Sequence, residues 1–168
     1  MATQMTTTEP YTLRKGSGLS DLWFFGGARL SIKVGGDQTE GRLYQIHVTE
    51  RHGSGPPLHI HHNADESFYV VDGELDIVVG DDRIEARRGD FVFGPRGVPH
   101  AYVARSDEAE FLVTFAPASM DRFVEELGGI PVVPGEPTPA TPYPDPEEFA
   151  RAVSGWGVEI VGPPLTLE

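Results

Sequence analysis

Apolar residues in this chain fall into short runs, many with every second position apolar, which is the period of a β-strand with one buried face. Leu30, Ile32 and Val34 alternate with Arg29, Ser31 and Lys33 and predict a half-buried strand. Leu43 to Thr49 places Tyr44, Ile46 and Val48 on one face and Leu43, Gln45 and His47 on the other, without saying which is interior. Glu66 opens an apolar run that ends at Val71, before a turn at Asp72-Gly73. Leu75, Ile77 and Val79 then alternate with Glu74, Asp76 and Val78, and Gly80-Asp81-Asp82 predicts a hairpin into the stretch from Arg83 to Arg87. A short run at Phe91-Val92-Phe93, a strand from His100 and another from Ala109 complete the series. Eight or nine short strands in about ninety residues predict an all-β sandwich or barrel. Leu19 to Phe25, apolar and aromatic, is either a first strand or a flap over an open end.

Beyond Pro117 the pattern changes. Ser119 is placed to cap a short helix from Met120 to Leu127, stopped by Gly128-Gly129. Six prolines between Pro131 and Pro144 predict an extended arm, either a plain linker or a wrap around the barrel or a partner subunit. Asp145 suits the N-cap of a second helix with Pro146 in its first position and Gly155 at its end. The expected organisation is a flexible segment at 1–18, one barrel at 19–117, and a C-terminal part at 118–168 whose helices and arm pack on the barrel or on a partner.

Length agrees with one domain: 168 residues can bury roughly 70% of the unfolded surface. The 13 basic and 26 acidic residues leave a net charge of −13, which argues against nucleic acid and anionic membranes as partners. No stretch approaches the ~20 apolar residues of a membrane span. The Thr-rich start lacks the charged and apolar parts of a signal peptide, so the cytoplasm is the expected compartment. There is no cysteine, so disulfides, iron–sulfur clusters and thiolate zinc are excluded, and any metal must be held by nitrogen and oxygen.

Such donors are present. His59 and His61 are two apart, so on a strand they share a face with Cα atoms about 6.6 Å apart. Glu66 opens the next run and can return beside them. His100 follows the turn Gly94-Pro95-Arg96-Gly97; if its strand lies beside the histidine pair, it becomes a fourth ligand. Three neutral imidazoles and one carboxylate around a divalent cation leave a Lewis acid with open positions. The alternative is a hydrogen-bonded polar core, disfavoured because four inward polar groups without a cation are costly to bury. Phe68 and Val70 follow Glu66 at spacing two, and Tyr102 stands two from His100. With Tyr44 they are candidate substrate contacts, although core packing explains Phe68 and Val70 equally. A buried Tyr102 would need a partner for its hydroxyl. His62 points away from its neighbours, His47 and His52 carry no spacing signal, and Arg96 reads as a solvated turn residue.

Two motifs carry a family resemblance. The first is Gly53, five residues, His59, one, His61, four, Glu66, six, Gly73; the second is Gly89, five, Pro95, one, Gly97, two, His100. With the fifteen residues between them they cover 48 positions and resemble the single-domain cupins. One departure is Ala104, where the family usually has an asparagine that is not a ligand. Around the motifs, Pro56-Pro57-Leu58-His59, Asp65-Glu66-Ser67-Phe68 and Gly94-Pro95-Arg96-Gly97-Val98-Pro99-His100 are similar to the quercetin-dioxygenase-like cupins of bacteria. That resemblance implies a small jelly-roll barrel, usually paired as a homodimer. It also implies one divalent transition metal inside, from manganese, iron, nickel or cobalt, with zinc or copper possible, held by His59, His61, Glu66 and His100. The implied activity is a dioxygenase acting with dioxygen on a small enol or phenol, flavonol-like, with Glu66 as catalytic proton acceptor. That role asks for a raised Glu66 pKa, which a buried apolar cavity favours. Alternatives are non-redox cyclisation, isomerisation or decarboxylation at the same metal, or ligand binding without turnover.

Overall fold

In the computed structural model, which describes residues 9–167, the alternating runs form two antiparallel sheets packed as a β-sandwich. The larger sheet runs, edge to edge, β11 (Ile130–Pro131), β1 (Ser20–Trp23), β2 (Arg29–Val34), β3 (Tyr44–Arg51), β10 (Glu108–Ala116), β5 (Asp65–Asp72) and β8 (Phe91–Gly94). The smaller runs β12 (Val158–Pro164), β4 (Pro57–His61), β9 (His100–Ala104), β6 (Glu74–Val79) and β7 (Asp82–Arg87).

Register decides which face of each strand is inside. On β3 the interior face is Tyr44, Ile46, Val48 and Glu50, opposite Phe115, Val113, Phe111 and Ala109 of β10. On its other side β10 sets Phe115 beside Glu66, Val113 beside Phe68 and Phe111 beside Val70 of β5. These rows form the core, each large apolar side chain contributing about 1.5–3 kcal/mol. One buried carboxylate lies away from this face: Asp76 on β6 is 1% exposed and accepts hydrogen bonds from Arg83 at 2.7 Å and Arg105 at 2.8 Å.

The chain ends depart from expectation in instructive ways. Of the expected flexible segment, residues 1–8 lie outside the described residues; beyond them the Tyr11 hydroxyl donates to the Lys33 carbonyl at 2.7 Å. Ser20–Trp23 is a true strand, followed by a one-turn 3-10 helix, Phe25–Gly27. A four-residue helix α1 (Gly36–Thr39) occupies the expected turn after β2. The helix expected from Met120 is shorter: α2 is Phe123–Glu126 and Ser119 does not cap it, because Arg122 adopts the left-handed conformation (φ 65°) and breaks the spiral. Helix α3 (Pro146–Ser154) starts as expected, the Asp145 carboxylate accepting from the N–H groups of Glu147 at 3.0 Å and Glu148 at 3.3 Å.

The proline-rich arm is tied to its own molecule. Val132 N–H bonds the Asp21 carbonyl, Gly26 N–H bonds the Thr141 carbonyl, and the Tyr143 hydroxyl donates to the Gly55 carbonyl at 3.1 Å. After α3 the chain adds β12 beside β4, pairing Val158 with His61 and Ile160 with His59. No helix among the described residues is long and apolar enough to cross a membrane.

Candidate metal centre

The four candidate ligands come from both sheets. Strand alternation turns His59 and His61 of β4 inward, and β9 sets His100 directly opposite His59. Glu66 faces them from β5 of the other sheet. The turn before β4 makes the approach close. A Cβ on Gly55 would lie 2.0 Å from the Tyr102 carbonyl oxygen, so only glycine lets this loop pass over β9.

All four donor atoms lie within 4.8 Å of one another and all four residues are buried. The Glu66 Oε2 atom is 2.6 Å from His100 Nε2 and 3.0 Å from His61 Nε2, and the Nε2 atoms of His59 and His61 are 3.2 Å apart. His59 Nδ1 faces the Pro57 carbonyl at 2.8 Å and His100 Nδ1 that of Val98 at 2.9 Å. Donation there keeps the proton on Nδ1 and turns the Nε2 lone pair to the shared point. Converging lone pairs repel unless a proton or cation sits among them, and a nitrogen-rich set with one carboxylate fits a divalent transition metal.

Electrostatics follow from the packing. Burial above all, then the His100 charge, pushes the His59 imidazole down to about 3. Burial opposes charge on His100 as well, but its bond to Glu66 wins and raises it. Burial likewise tends to raise Glu66, yet the charge of His61 and the hydrogen bonds from His100 and His61 hold it well below the usual carboxylate range. A raised Glu66 pKa is therefore not what the structure has: its imidazole partners outweigh its burial.

Beside the cluster is a largely apolar cavity of about 130 Å3, with His59, His61 and Glu66 on its wall. Tyr44 and Tyr102 also line it. Phe68 and Val70 are fully buried but absent from that wall; the Phe68 ring packs 6.3 Å from His100 and 6.0 Å from Tyr102, behind the cluster. His62 is exposed and bonds Glu159, His47 pairs with Glu110, and His52 bonds the Arg105 carbonyl. Arg96 is more than a solvated turn residue, since its guanidinium grips Asp65, the neighbour of Glu66, at 2.9 and 3.1 Å.

Residues 46–115, which hold all four candidate ligands, match the sequence family described as the cupin domain. The chain carries a cupin domain. It is 34% identical over 99 residues to quercetin 2,3-dioxygenase of Bacillus subtilis, covering 58% of this chain and 28% of that protein. It is 38% identical over 56 residues to an uncharacterised protein of Streptomyces coelicolor, covering 33% of this chain and 53% of that one. The chain thus spans between about a quarter and a half of the length of these curated relatives. In fold it is similar to an RmlC-like cupin from Shewanella frigidimarina, with a TM-score of 0.55 at 21% identity, covering 68% of this chain and 96% of that one.

Two parts of the cupin cavity escaped sequence reasoning. The first is Glu50, 2% exposed and on the cavity wall. Extending the alternation of Tyr44, Ile46 and Val48 by one step reaches it, once that face is known to be interior. Burial pushes its carboxyl up to about 7, against hydrogen bonds from Ser54, the Arg51 N–H and Tyr102 and the charge of Arg51. The second, expected only as a flap at Leu19 to Phe25, is an aromatic cover in which the Phe25 ring meets Phe24 at 4.2 Å and both Tyr143 and Phe149 at 5.6 Å. The last two rings come from the arm and α3, far along the chain from the ligands.

Proposed function

We propose that this cupin domain is a metal-dependent oxidoreductase of the dioxygenase type, taking dioxygen and a small enol or phenol. The observation that carries this reading is the buried cluster of three histidines and one carboxylate on the wall of an apolar cavity. Similarity over 99 residues to a quercetin 2,3-dioxygenase supports it. His59, His61, Glu66 and His100 would hold one divalent ion: manganese, iron, nickel or cobalt, with zinc and copper also compatible with such donors. When bound, the ion supplies Lewis acidity toward an ionised hydroxyl and a meeting place for dioxygen.

The remaining roles belong to the chain. Glu66 is the proposed first acceptor of the substrate proton, since its low basicity comes from imidazole hydrogen bonds that would be given up when His61 and His100 hold the ion. Phe24, Phe25 and Phe115 keep water from the cavity. The Tyr44 hydroxyl is buried on the cavity wall without a hydrogen-bond partner among the described residues, which leaves it to a substrate oxygen. Tyr102 shapes the opposite part of the wall, while Phe68 and Val70 act from behind by fixing the ligand-bearing strands. A cavity of about 130 Å3 is close to the ~150 Å3 that holds benzene, so a single-ring substrate fits and a three-ring flavonol requires the Phe25–Tyr143–Phe149 cover to move.

Oxygen uptake measured on protein loaded in turn with manganese, iron, cobalt and nickel, across flavonols and single-ring enols and phenols, tests the reading. Uptake matching substrate loss is expected; none across the panel sinks it. A second reading, non-redox cyclisation, isomerisation or decarboxylation, is favoured by Glu50 on the cavity wall, which, unlike Glu66, burial carries up to about 7, where it can exchange protons without oxygen. Turnover under argon, or with zinc, selects it, and ligand uptake with unchanged mass selects a binding protein. The homodimer that the family resemblance implies is supported by Tyr69, Phe91 and Phe93, exposed on the outer face of the β5–β8 edge, and sedimentation tests it.

A further inference from the structure

Among the described residues, two buried carboxylates lie outside the metal cluster, and they are kept in opposite ways. Asp76 receives two guanidinium bonds at 2.7 and 2.8 Å, as a buried charge ordinarily must. Glu50 has no ion pair among the described residues. Its hydrogen bonds from the Tyr102 hydroxyl and the Arg51 N–H are long, both at 3.3 Å, and the Ser54 hydroxyl adds a third donor. A carboxylate can accept about four hydrogen bonds. Glu50 is therefore buried, under-satisfied and turned to a cavity rather than to the packed core.

Its position relative to the cluster is set by a chain of ring contacts. Tyr44 stacks on Phe115, which meets His61; His61 stacks on His100; His100 meets Phe68, Phe68 meets Tyr102, and Tyr102 bonds Glu50. The histidines stand in the middle and Glu50 at one end. Tyr143 closes that end from the arm, its hydroxyl spent on the Gly55 carbonyl. A ligand held at the histidines thus meets one further strong acceptor, away from the cluster and beneath the arm.

We infer that Glu50 is the specificity-determining acceptor of the cavity, taking a hydrogen bond from a second hydroxyl on a ligand whose first hydroxyl faces the four-ligand cluster. This rests on the reading that the cavity holds a small hydroxylated ring. It selects dihydroxylated over singly hydroxylated ligands, since a desolvated carboxylate left without its donor is penalised while a satisfied one is not. A carboxyl poised near neutrality can also adjust its charge to the ligand it meets.

The test is calorimetric titration of the metal-loaded protein at pH 8 under argon. The probes are catechol, resorcinol and hydroquinone, each against the methylphenol in which one hydroxyl becomes methyl. Wild type should prefer at least one dihydroxybenzene by about tenfold, the size of one charge-assisted hydrogen bond. E50L should lose that preference, binding the methylphenols at least as tightly as wild type and keeping its metal content, and E50Q, which keeps the shape and one acceptor oxygen, should fall between. If E50L does not fold, E50Q carries the test, and a preference undiminished in it overturns the inference. Equal binding of both probe types by wild type also overturns it, while leaving the metal centre untouched. If no ring compound binds wild type at all, the cavity reading falls and this inference with it.

Discussion

Replacing Glu50 with Gln should stabilise the protein at pH 8 relative to its effect at pH 4.5. The carboxyl is carried from an ordinary 4.5 to about 7 in the folded protein, chiefly by burial. Between those values the folded chain keeps a proton that the unfolded chain has released, so stability falls as pH rises through the window and levels off above it. A shift of roughly two and a half pKa units at 1.36 kcal/mol each makes the loss about 3 kcal/mol. Glutamine cannot titrate, so that loss disappears in the variant while other groups titrate alike in both proteins. The facing groups are Arg51, Ser54, Tyr102 and Tyr143; the tyrosines stay protonated across the window, burial raising both. Urea unfolding of the metal-loaded proteins, followed through Trp23 and Trp156 fluorescence, gives both stabilities at each pH. The stability difference between variant and wild type should grow by about 3 kcal/mol in favour of Gln from pH 4.5 to pH 8. Parallel curves would mean that Glu50 is solvated or paired, and the account of this carboxyl would be wrong.

His100→Ala should keep its fold by circular dichroism but lose its bound metal, read by elemental analysis, because it removes one of four donors and leaves Glu66 without its shortest bond at 2.6 Å. Gly55→Ala should lower stability by about 3 kcal/mol, measured by urea unfolding, since the new methyl collides with backbone that cannot swing aside. For Asp76→Ala, a loss of about 2 kcal/mol is expected at pH 7, reduced from a fully buried pair because Arg83 and Arg105 are about one-third exposed. The Asp76 pKa lies below its ordinary value, burial being outweighed by the two arginines, so wild type should lose this advantage as pH falls through the acid range; acid titrations of both proteins check it.

Much of the fold was legible because it is local. Period-two alternation marks β2, β3, β5 and β6, and ligands at spacing two on one strand must share a face, so the four donors that spacing singles out are those the sheets bring together. What could not be read depends on partners across space. Glu50 continues a visible alternation, but only pairing with β10 tells which face of β3 is inside. The Glu66 pKa turns on imidazoles about 3 Å away, and residue types alone do not weigh that against burial. Arg122 looks helical by sequence, yet its left-handed backbone sets the start of α2. The strand pairing of the C-terminal residues was equally hidden, since glycine and prolines dilute the apolar pattern of β12.

That last pairing bears on the order in which the molecule is made. Strand β4, with His59 and His61, is an interior strand only because Val158–Pro164 lies along its outer edge. As a chain leaves the ribosome, all four ligands emerge nearly sixty residues before that guard. In the interval β4 presents unpaired N–H and C=O groups to any neighbouring chain. The candidate metal centre is thus the part of the protein whose donor residues arrive early and whose shelter arrives last. Nascent chains halted before Val158 are the species to watch for aggregation through β4 itself.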